Sequence, residues 1–87
     1  MIKNIAVPPG ATIREQLENR GIPQKEFALR MGMSEKHISS LIGGYVKLDH
    51  NTALKLETVL GILAEFWDRF EYLYREQLKY QGESEGK

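Results

Sequence analysis

The sequence predicts an all-α domain of five helices, and three observations carry that prediction. Apolar residues recur at spacings of three and four along most of the chain. Glycines at 21, 32, 43, 44 and 61 each follow such a run, where helices end. The apolar and polar alternation of a strand is confined to Ile2, Lys3, Asn4 and Ile5, where a mobile terminus or short extended arm is expected.

Length and composition narrow the class. With 87 residues the chain makes one domain, expected over residues 1–80, and QGESEGK at 81–87 reads as a disordered tail or a cut end. About 60% of the unfolded surface can be buried at this size, so the core is small and pairing of two copies is expected to add stability. Cysteine is absent, which excludes disulfides and thiolate metal sites and fits a reducing cytoplasm. No apolar run approaches the ~18 residues of a membrane span, and no signal-peptide core follows Met1. A soluble, cytoplasmic protein without a membrane partner is therefore expected.

Pro8, Pro9 and Gly10 stop any strand. Thr12 and Glu15 stand at capping-box spacing for the first helix, whose Ile13 and Leu17 face inward while Arg14, Glu15, Glu18 and Asn19 stay wet. Gly21 closes it. Pro23, with its φ already helical, suits the first turn of the second helix. Phe27 and Met31 turn inward there, and Ala28 is small enough for a close crossing. Gly32 permits a tight turn, Ser34 caps the third helix, and Ile38 and Leu41 point to the core. Outward remain Glu35, Lys36, His37, Ser39 and Ser40. After the loop Tyr45, Val46, Lys47 and Leu48, Asp49 is the expected cap of a fourth helix with Ala53, Leu56, Val59 and Leu60 buried, ended by Gly61. Ile62 and Leu63 lead into a last helix over 64–80. Its Phe66, Trp67, Phe70, Leu73, Tyr74 and Leu78 exceed what a four-helix core requires, so Phe66, Trp67, Phe70, Leu73 and Tyr74 are expected to serve also as a dimerisation surface.

The segment from Pro23 to Gly44 has the order of parts of a helix-turn-helix: short run, glycine, capping serine, second run. Gln24-Lys25-Glu26-Phe27-Ala28, Gly32-Met33-Ser34 and Ile38-Ser39-Ser40-Leu41-Ile42-Gly43-Gly44 resemble the phage-repressor (Xre/Cro/C1) type, which implies a lambda-repressor-like fold. Together with Pro9-Gly10, Ala53-Leu54-Lys55-Leu56, Gly61 and Glu65-Phe66-Trp67, they resemble more narrowly the HigA (VapI-like) antitoxins, over roughly residues 8–78.

The resemblance implies a homodimeric repressor on double-stranded DNA, binding a palindromic operator, controlling its own operon and neutralising a RelE-like toxin that cleaves messenger RNA. It places Gln24 on a backbone phosphate, where a helix dipole also favours an anion, and Lys36 and Ser40 at base edges. A lysine bonds guanine O6 and N7, and serine accepts many bases. Glu35 either accepts from the cytosine N4 amino group or steadies its own helix. His37 contacts a base or a phosphate, or is merely solvated. Tyr45 and Lys47 read as backbone clamps, Gly44 offers an N–H to a phosphate, and Lys25, Ser34 and Ser39 complete the face. Two departures stand out: Gly43 occupies the place of an asparagine donor, and Leu63 that of a polar cap, so an irregular entry to the last helix is expected. Two alternatives stay open. One is a protein-interaction module without DNA binding, favoured by Gly43, Glu35 and the zero net charge. The other is the regulatory front of a longer metallopeptidase-like chain, favoured by the abrupt polar tail.

A net charge of zero counts against a nucleic-acid binder, and the distribution of the charges softens that objection. Twelve bases balance twelve acids, but from Pro23 to Lys47 four bases face two acids, and from Glu57 onward four bases face seven acids. The mild positive end is where the motif lies. His37 and His50 read as isolated, and no HExxH pair, G-x-S-x-G or phosphate loop is present. Glu15 and Glu18 share a wet face that would not raise a pKa. No catalytic residue, metal or cofactor is expected, and the protein is not expected to be an enzyme.

Overall fold

The computed structural model describes residues 7–85. They form α1 (Pro9–Arg20), α2 (Gln24–Met31), α3 (Glu35–Gly43), α4 (His50–Leu60) and α5 (Ala64–Glu85), with no strand among the described residues. The expected N-terminal arm falls outside the described residues. The helix expected over 64–80 runs on to Glu85. Each residue added to an existing helix gains a hydrogen bond, so Gly82 and Ser84 are carried along by the helix already formed.

Two of the predicted caps are in place. The Ser34 side chain accepts the His37 N–H at 3.0 Å, and the Asp49 carboxylate accepts the Thr52 N–H at 2.8 Å. Two other starts differ from expectation. Thr12 caps nothing: α1 begins at Pro9, and the Pro8 carbonyl accepts the Ala11 N–H at 3.0 Å. A proline in the first turn lacks an N–H that would have needed a partner, so the earlier start is inexpensive. Pro23 stands just outside α2 in extended conformation, ψ 149°, its carbonyl accepting the Phe27 N–H.

The Thr52 N–H bond holds the Asp49 carboxyl below its ordinary value of 3.8. A carboxylate depressed in the folded state adds stability above its unfolded value and loses it as pH falls through the folded one. Asp49→Ala should therefore cost about 1 kcal/mol at neutral pH. The gap between the melting temperatures of variant and parent should shrink as pH falls below the ordinary value and through the folded one.

The core is built from all five helices. Ile13, Phe27, Met31, Ile38, Leu56 and Trp67 are its largest fully buried side chains. Glycine has a packing role in α1: a methyl group on Gly10 would lie 2.1 Å from the Ile42 carbonyl oxygen, so α1 and α3 cross backbone against backbone. Trp67, expected in the dimer stripe, is instead 0% exposed. Its indole N–H donates to the Ile62 carbonyl at 3.1 Å, and its ring meets Phe70 edge to face, 5.9 Å between centroids. One step along a helix turns a side chain by about 100°, which carries Trp67 from the solvent side of Phe66 into the core.

The entry to α5 is regular, contrary to expectation. Leu63 is no cap, but the Glu57 carboxylate reaches across from α4 and accepts the Ala64 N–H at 2.9 Å. Arg20, at the end of α1, donates to the Leu60 carbonyl at 2.7 Å. With the Trp67 bond, three side chains thus fasten the backbone of the α4–α5 connection.

Candidate nucleic-acid interface

The interface is built on α3, whose two ends are closed by the chain itself. Ser34 caps its start, and Gly44, at φ 81°, reverses the chain at its end so that the Tyr45 N–H returns to the Ser40 carbonyl at 2.9 Å. Ile38, Leu41 and Ile42 are buried, which fixes the rotation of the helix about its axis. Glu35, Lys36, His37 and Ser39 are consequently exposed and Ser40 half-buried. Lys36, Ser40 and Gly43 fall four and three apart, on one stripe pointing away from the core.

The remaining expected residues lie at the start of α2 and in the loop after α3. Gln24 is the first residue of α2, half-buried, with Lys25 exposed beside it. No side chain caps this start, because Pro23 has none to offer, so the leading N–H groups of α2 are open to an outside acceptor. Tyr45 and Lys47 are exposed in the loop between α3 and α4. Ser34 has a double part: its oxygen is engaged by the His37 N–H, and its hydroxyl proton stays available.

Three features were not read from sequence. Arg14 lines the same open groove as Gln24, adding a cation beside the start of α2. The proximity of the two comes from how α1 lies against α2, which no local pattern records. Tyr45 folds back over the end of α3: a Cβ at Gly43 would meet its ring carbons at 2.6 and 2.8 Å, yet the residue remains 85% exposed. His50, expected to be isolated, has Nδ1 2.8 Å from Asp68 Oδ2 and so ties the start of α4 to α5.

Charge is distributed as the sequence implied, with one refinement. Arg30 pairs with Glu26 within α2, leaving Lys25, Lys36 and Lys47 as the motif's cations against Glu35. Glu35 sits in the first turn of α3, where a negative charge favours the helix.

The expected dimer stripe divides in three. Phe66 and Leu73 are 46% and 53% exposed on α5, seven residues apart on one face. Phe70 is half-buried between them, and Tyr74 is half-buried with its hydroxyl toward Gly44. Trp67 belongs to the core, as described above. Among the described residues no helix is long and apolar enough to cross a membrane.

Comparison with known proteins fits this geometry. The helix-turn-helix family model matches residues 13–67, more than half of the chain. No curated protein sequence matches the chain. An addiction module antidote protein of a HigA family from Coxiella burnetii superposes with a TM-score of 0.86 at 18% identity, covering 95% of this chain and 91% of that one. The antitoxin HigA of Pseudomonas aeruginosa, solved with the higBA promoter, gives 0.86 at 18% identity over 94% and 90%. A protein of Nostoc punctiforme assigned as an antidote of a plasmid maintenance system gives 0.86 at 24% identity over 98% and 91%. At these identities the likeness is one of fold.

Proposed function

Since this chain belongs to the helix-turn-helix family, we propose that it is a sequence-specific DNA-binding repressor acting as a homodimer, and the antitoxin of its own operon. The observation that carries the reading is the α3 surface. Its apolar side is locked in the core, and what it leaves outside is Glu35, Lys36, His37, Ser39 and the half-buried Ser40, with the uncapped start of α2, Lys25 and Lys47 on the neighbouring segments. A polar helix held at that attitude fits a major groove, and the neighbouring segments fit the phosphates.

In this reading Lys36 donates to guanine O6 and N7, Ser40 contacts the neighbouring base, and Gln24 with the α2 N–H groups holds a phosphate. Glu35 serves its own helix. The pairing surface is Phe66, Phe70 and Leu73 on α5. Two copies joined there present their α3 helices to successive major grooves, so the operator is a palindrome with half-sites about 34 Å apart. The antitoxin part rests on the HigA-like fold and on the promoter complex of the Pseudomonas protein. Its partner would be a RelE-like toxin that cleaves messenger RNA.

Gel shifts on the DNA upstream of the gene, repeated at rising salt, test the DNA part. Lys36→Ala should lower specific affinity by about 1–3 kcal/mol and relax the preference at one base pair per half-site. Gln24→Ala should weaken all sequences alike. Parent-like binding by both variants would remove this face from the DNA. For the pairing surface, Phe66→Ser with Leu73→Ser should convert a sedimenting dimer to monomer without lowering helix content. A parent protein that sediments as monomer at every concentration rejects it. Co-expression with a RelE-like toxin encoded beside it reads the antitoxin part: rescue of growth is expected, and continued arrest, or no such toxin gene in the operon, rejects it.

A further inference from the structure

We infer that Tyr45 supplies the third base-facing group of the recognition stripe and reads a thymine methyl, with Gly43 kept side-chain-free to admit it. The inference rests on the DNA-binding reading above and goes beyond a backbone clamp. Along α3 the outward stripe is Lys36, Ser40 and Gly43, and the last of these has no side chain to offer. The structure fills that vacancy from the next turn of chain. Gly44 reverses the backbone at φ 81°, and the Tyr45 N–H is anchored on the Ser40 carbonyl at 2.9 Å. The phenol ring then lies where a residue-43 side chain would begin, 2.6 and 2.8 Å from the position of its Cβ.

A ring so placed is hard to explain as packing. Tyr45 is 85% exposed, the most exposed large hydrophobic side chain among the described residues, so its contact with Gly43 orients it without burying it. An aromatic group held in the open costs hydration, and here it is aligned with the two residues assigned to base edges. The chemistry it brings is an apolar edge, which Lys36 and Ser40 lack. The partner such an edge selects in a major groove is the C5 methyl of thymine. A residue clamping a phosphate would need its hydroxyl, whereas a residue reading a methyl needs only its ring.

The experiment uses the full chain and an operator obtained by selection from random duplexes, with helix content and melting checked for every variant. Replacing thymine by uracil removes only the methyl group. One uracil position per half-site should weaken the parent about fivefold. Tyr45→Phe should keep that discrimination, and Tyr45→Ala should bind thymine and uracil duplexes equally, at the parent's uracil affinity. Gly43→Ala, which displaces the ring, should resemble Tyr45→Ala. A Tyr45→Ala variant that weakens specific and random duplexes alike, or neither, overturns the inference and leaves the repressor reading standing. A parent that selects no operator overturns the reading beneath it.

Discussion

Trp67→Ala is expected to cost about 3–5 kcal/mol, the largest single effect of any substitution in this chain. At about 0.05–0.15 kcal/mol per residue, that is a large part of the total stability of so short a chain. The loss has three sources: the volume of the largest fully buried side chain, the edge-to-face contact with Phe70, and the indole N–H bond to Ile62. In a domain of this size each kcal/mol shifts the melting temperature by about 4–8 °C, so a fall of at least about 12 °C should be seen by circular dichroism. Trp67→Phe separates the sources. It restores most of the ring but leaves the Ile62 carbonyl without its donor, for a smaller loss of about 1–3 kcal/mol. An alanine variant that melts within a few degrees of the parent would show that the indole is not a core residue.

Gly10→Ala should be the second strongest. Alanine ordinarily stabilises a helix over glycine by about 0.5–1 kcal/mol, so the naive expectation is a gain. Here the added methyl falls 2.1 Å from the Ile42 carbonyl oxygen. Backbone cannot swing aside as a long side chain can, and forced separation of packed helices costs about 1–3 kcal/mol. The helix pushed away is α3, so specific DNA affinity should fall together with the melting temperature. A variant as stable as the parent, or more so, would show that α1 and α3 do not cross this closely.

How much of this was legible in the sequence depends on the range of the physics involved. Ser34 and Asp49 were readable because a cap bonds an N–H three residues on, within one turn of chain. The inward set of Ile13, Leu17, Phe27, Ile38 and Leu56 was readable because helix periodicity sorts residues by face. Gly10 was not. Beside Pro8 and Pro9 it looks like punctuation, and its reason is a carbonyl 32 positions away. Thr12 with Glu15 matched a capping box, but Pro9 offered an earlier start that the pattern does not weigh. Phe66 and Trp67 are adjacent aromatics, and spacing alone does not say which of two neighbours faces inward. Glu57 capping α5 and Tyr45 lying over Gly43 depend on how separate segments meet, which a local reading does not reach.

The three side chains that grip the backbone between α4 and α5 bear on something far from themselves. Glu57, Arg20 and Trp67 each hold a backbone group of that bend, and so set the direction in which the long helix departs from the body. In a symmetric pair joined along that helix, the departure angle sets how far apart the two reading heads stand. In such a pair the gap between the halves of a target sequence would follow from this bend, away from the recognition stripe. Lineages with the same reading heads could change their targets by altering this bend alone.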